Sequence, residues 1–93
     1  MLPSSLQLAV GITKQGKRYI AHSPALDIST SGKTEKDAQK RFETLVQLFF
    51  EELAEMGTTK EVLTELGWKK VRNHFTPPSV SQKSLKIRIP SFA

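Results

Sequence analysis

A chain of 93 residues without cysteine has room for one domain, and its core must rest on apolar burial instead of disulfides or thiolate-bound metal. The net charge of +5 is unevenly spread: residues 1–68 hold eight Lys and Arg against all nine Asp and Glu, and from Lys69 onward six cations stand without an acid. No run approaches the ~18 apolar residues of a membrane span, and Met1-Leu2-Pro3-Ser4-Ser5 has no basic stretch leading into an apolar one, so a soluble, cytoplasmic protein is expected.

Residues 6–13 alternate strictly, with Leu6, Leu8, Val10 and Ile12 on one side, which predicts a half-buried strand. Lys14-Gln15-Gly16-Lys17 suits a short hairpin connection into a second strand over 18–23, where Tyr19 and Ala21 share one face and Ile20 and His22 the other. Pro24 cannot donate to a ladder, so Ser23-Pro24-Ala25-Leu26-Asp27 should turn before a third strand over 28–31. The three strands form an antiparallel meander. Gly32 breaks the last of them, by a backbone angle a strand residue cannot supply.

Thr34 is a suitable N-cap, accepting from the Asp37 amide while the Asp37 carboxylate reaches back to the Thr34 amide. The helix it opens should run over 35–56, roughly 33 Å at 1.5 Å per residue, and end at a left-handed Gly57. Its inner stripe is read as Ala38, Phe42, Leu45, Phe49, Leu53 and Met56, with Leu48 alongside. Lys36, Lys40, Glu43, Gln47, Glu51 and Glu55 form the outer face. Thr58 or Thr59 caps a second, short helix reaching Leu66, with Val62, Leu63 and Leu66 inward and Gly67 as terminator. A strand over 68–75 is expected next, stopped by Thr76-Pro77-Pro78-Ser79. After it, 84–90 alternates again, with Leu85, Ile87 and Ile89 opposite Lys86 and Arg88, as an edge strand that can pair within the chain or with a second copy. The expected architecture is α+β in the order β-β-β-α-α-β-(β), with residues 1–76 as the domain and 77–93 as a basic tail.

Catalytic chemistry is not indicated, and no enzyme is expected. Two Mg²⁺ ions about 4 Å apart need several converging carboxylates, whereas the only acid in the strand region is Asp27, in a turn. Glu51, Glu52 and Glu55 belong to the solvated helix face. His22 and His74, the only histidines, lack a nucleophile or a ligand partner at metal spacing. No cofactor is expected, since no glycine-rich loop precedes a helix and Gly11 and Gly16 are strand and turn glycines. The candidate sites are therefore surfaces: His22, Lys86 and Arg88 for a protein partner, and Lys69, Lys70 and Arg72 for nucleic acid. Trp68 beside the last three is assigned to the core.

The segment Tyr19-Ile20-Ala21-His22-Ser23-Pro24-Ala25-Leu26, followed by Gly32-Lys33-Thr34-Glu35-Lys36-Asp37-Ala38 and the Leu66-Gly67-Trp68 corner, resembles the HicB-like antitoxin family over residues 6 to 76. The resemblance implies a degraded ribonuclease-H-like fold that binds and masks a small ribonuclease toxin, as a dimer or higher oligomer. Longer members add a ribbon-helix-helix or helix-turn-helix element that binds DNA. Here 84–90 looks like the opening strand of a ribbon-helix-helix unit without its helices, so operator binding by that route is not expected. The alternatives are nucleic-acid binding through the basic C-terminal segment and an orphan homo-oligomeric module.

Overall fold

The computed structural model describes residues 6–91. Three strands, β1 (Gly11–Gln15), β2 (Arg18–Ser23) and β3 (Ile28–Gly32), precede the helices α1 (Glu35–Met56) and α2 (Thr59–Glu65) and two short strands, β4 (Lys69–Val71) and β5 (His74–Thr76). The first three make one antiparallel sheet in the order β1-β2-β3, and β4 and β5 make a separate hairpin. This is the α+β order read from the sequence.

The β1–β2 hairpin closes on Gly16 and Lys17, with Gln15 opposite Arg18. Gly16 has φ +63, a backbone angle that a side chain would resist at this first connecting position. Ile12 stands opposite Ala21 and Lys14 opposite Tyr19, which places the odd-numbered residues of β2 on the helix side. The ladder begins at Gly11 and not at Leu6, because β2 stops at Ser23 before Pro24 and leaves residues 6–10 no partner strand. These residues form an extended arm, and their alternation survives as one wall of a groove against α1.

α1 has the bounds its capping residues predict. The Thr34 hydroxyl accepts the Asp37 amide at 3.0 Å, but the reciprocal carboxylate bond is not made. Gly57, at φ +69, closes a Schellman motif in which its own amide donates to the Ala54 carbonyl and the Thr58 amide donates to the Leu53 carbonyl. α2 ends the same way: Gly67 has φ +90, and the Trp68 amide donates to the Leu63 carbonyl at 2.9 Å.

Gly32 does not have the special φ expected of it. Its role is steric, since a Cβ there would lie 2.5 Å from the Ala38 amide nitrogen. A strand residue without a side chain and a buried alanine let β3 and the first turns of α1 touch through their backbones.

The helix stripe also departs from its reading. Ala38, Phe42 and Leu53 are buried, but Leu45, Leu48 and Met56 are 37%, 55% and 66% exposed, and Val46 and Phe50 are half-buried in their place. The cause is the placement of α1, which packs mainly on β3 and β2 and reaches β1 least. One cluster joins Ala21, Ala38 and Phe42; a second joins Ala25, Leu26, Leu53, Leu63 and Trp68. Trp68 is 4% exposed, and its indole Nε1 donates to the Ala25 carbonyl at 2.8 Å.

The expected strand over 68–75 is folded back on itself at Arg72-Asn73, with Lys70 opposite Phe75 and Val71 opposite His74. Residues 77–91 form no ladder, so the strand expected at 84–90 is absent from the isolated chain. The radius of gyration, 16.3 Å, exceeds the ~12 Å of a compact chain of this length and reflects that extended tail.

Candidate functional site

The sheet face away from α1 is built by the alternate residues of each strand. Its centre is Ile20, between Thr13 and Ser31, and His22, between Gly11 and Ser29. At one margin the Arg18 guanidinium donates to the Ser31 hydroxyl from Nε at 3.3 Å and from Nη2 at 3.0 Å, which holds a long cation flat across β2 and β3. At the other margin His22 Nε2 lies 3.5 Å from Asp27 Oδ1. Both side chains are open to solvent, and a pair of this kind adds little to stability. Asp27 holds φ 54 in the turn, a conformation aspartate tolerates better than most residues, and its amide donates to the Ser23 carbonyl at 2.8 Å. Beside His22, a concavity of about 520 Å³ is lined by Val10, Gly11, Pro24, Val80 and Gln82. The face is thus a shallow, mostly neutral surface with one aliphatic and one imidazole at its middle.

The predicted site residues fall into separate places. His22 is on the open face as its strand parity requires. Lys86 and Arg88 lie on the exposed tail, with no hydrogen bond or ion pair to the body among the described residues. Lys69, Lys70 and Arg72 all lie on the β4–β5 hairpin and are exposed, Lys69 and Lys70 on opposite faces of the strand. Arg72 sits at its tip at φ 58, and the Lys70 ammonium lies 6.0 Å from the centre of the Phe75 ring. Trp68 is buried and takes no part in that surface, so among the described residues Phe75, half-buried against the second core cluster, is the aromatic beside the cations.

Among the described residues, no group of three or more His, Cys, Asp or Glu is placed to share a metal ion. Glu51, Glu52 and Glu55 project into solvent, and His74 is exposed on β5. Among the described residues, no helix is long and apolar enough to cross a membrane.

Two grooves along α1 were not foreseen. One, of about 640 Å³, runs between the arm residues Leu8, Val10 and Ile12 and the helix residues Phe42 and Val46. The other lies on the β3 side, where Leu45 and Leu48 stand beside Lys40, Arg41 and Thr30. The available signals were Val46, outside the assumed stripe, and the large number of apolar positions on α1, more than one small sheet can cover. No protein-family model, curated protein or solved structure matches this chain. The fold and its surfaces define a small α+β protein with one sheet face uncovered.

Proposed function

We propose that this protein is a HicB-like antitoxin-type binding protein that sequesters a small partner, a ribonuclease toxin, on the open face of its sheet. The observation that carries the reading is the uncovered face itself: Ile20 and His22 framed by Ser29, Ser31 and the braced Arg18, on a scaffold whose other face is occupied by α1. Rigid sheet faces with few charges at the centre favour protein docking, because little desolvation opposes contact. The ordered motifs Tyr19 to Leu26 and Gly32 to Ala38 add the family resemblance, with the degraded ribonuclease-H-like fold it implies. The test is co-expression with the product of the neighbouring small reading frame. Relief of growth arrest and a complex retained through purification are expected, and Ile20→Arg should abolish both while leaving the circular dichroism spectrum intact. No complex and no relief with the unaltered protein would end the reading.

A second reading follows from the hairpin, where Lys69, Lys70 and Arg72 project with no acidic residue in the same element. Three phosphate contacts to a single strand would give a log–log salt slope of about −2. Fluorescence anisotropy with single-stranded RNA, comparing the native chain with a Lys69→Glu, Lys70→Glu, Arg72→Glu triple variant, measures it. Equal binding by both proteins removes the hairpin from consideration.

A further inference from the structure

We propose that the tail segment 84–90 of one copy docks along the β1 edge of a second copy as a fourth strand, beside the groove between the arm and α1, giving a reciprocal homodimer. The inference is independent of the toxin-binding reading.

The groove exists because α1 lies mainly over β3 and β2 and reaches β1 least, so that Ile12 stays only half-buried against the core. β1 is also the end strand of the sheet, so half of its amides and carbonyls point outward without a ladder partner. An apolar wall beside an open strand edge selects an extended segment that is apolar on alternate residues, since side chains of one parity then turn toward the wall. The chain contains one such segment with no place in its own fold. Leu85, Ile87 and Ile89 are 71%, 68% and 66% exposed, and residues 81–91 are all exposed. Seven residues span ~23 Å as a strand, enough to cover β1 and the adjoining part of the arm. Pro90, without an amide hydrogen, falls at the end of the run, where a strand tolerates it.

Charge decides between the two grooves. The tail carries Lys83, Lys86 and Arg88 and no acid. The β3-side groove is lined by Lys40 and Arg41, which repel it. Among the described residues, the β1-side groove is lined by one charged side chain, Glu43. Size points to a second copy as the occupant: one docked strand falls short of the ~1,200–2,000 Å² buried in stable interfaces, and two reciprocal dockings reach it. In the isolated chain the segment pairs with no strand, and the described chain as a whole is elongated, 58 × 29 × 20 Å.

The experiment is size-exclusion chromatography with light scattering on the full chain over a dilution series. The native protein should dimerise. Ile87→Asp, on the tail, and Val10→Asp, on the groove wall, should each weaken the dimer by ~10-fold or more with unchanged circular dichroism. An equimolar mixture of the two variants should recover a weaker dimer, because each supplies the half the other lacks. A Leu45→Asp, Leu48→Asp variant should dimerise normally. A native protein that stays monomeric overturns the proposal, including the case in which Ile87→Asp lowers the monomer's stability and so reveals docking within one chain. A dimer that survives Ile87→Asp, or one lost on the Leu45, Leu48 change and not on Val10→Asp, overturns it as well.

Discussion

At Gly32 the space for a side chain is already filled: an added Cβ would stand 2.9 Å from both the Ala38 Cα and the Asp37 carbonyl carbon. Those atoms are backbone and cannot rotate away. Gly32→Ala should therefore cost ~2 kcal/mol or more, read as a lowered urea midpoint with unchanged slope. Ser23 presents the opposite case. Its side chain is buried on the helix side of β2, and its hydroxyl has no hydrogen-bond partner among the described residues. Removing an unpaired hydroxyl removes its desolvation penalty, so Ser23→Ala should raise stability by ~1 kcal/mol in the same titration. A fall of that size would mean that the hydroxyl has a partner in solution. Both residues were visible in the sequence, but only as a strand breaker and a strand end. What they touch is a property of the packed fold.

At the scale of elements, α1 divides its apolar residues between cover and surface. Phe42→Ala should cost ~3–5 kcal/mol, because the ring fills the space between β2 and the helix, and Leu48→Lys should stay within ~0.5 kcal/mol, since more than half of Leu48 already meets water. Thermal or urea unfolding of the pair checks the contrast. The bounds of α1 were legible because Thr34 and Gly57 mark them chemically. Its covered stripe was not, because Val46 and Leu45 satisfy the same periodicity, and the choice between them depends on how far the helix is offset across the sheet. The strand read at 68–75 failed for a related reason: Arg72-Asn73 lacks a glycine, and an arginine in the left-handed region gives no turn signal. Strand parity was more informative. It put Ile20 and His22 on one face and Tyr19 and Ala21 on the other, and the packing of α1 then decides which face is open, whereas both grooves stayed hidden because each needs two distant elements.

The whole molecule is a small packed body with a long charged extension. Deleting residues 81–93 should leave the monomer's stability within ~0.5 kcal/mol in urea at low protein concentration, because residues 81–91 contribute nothing to either core cluster. Closing the body depends more on Trp68, whose indole bonds a carbonyl 43 positions earlier and meets the Phe50 ring edge-on at 6.1 Å. It is the only tryptophan in the chain. Its fluorescence is consequently a built-in optical clock for folding: emission shifts to shorter wavelength only when the chain's two halves meet, so a stopped-flow trace times long-range closure apart from the helix signal seen in the far ultraviolet.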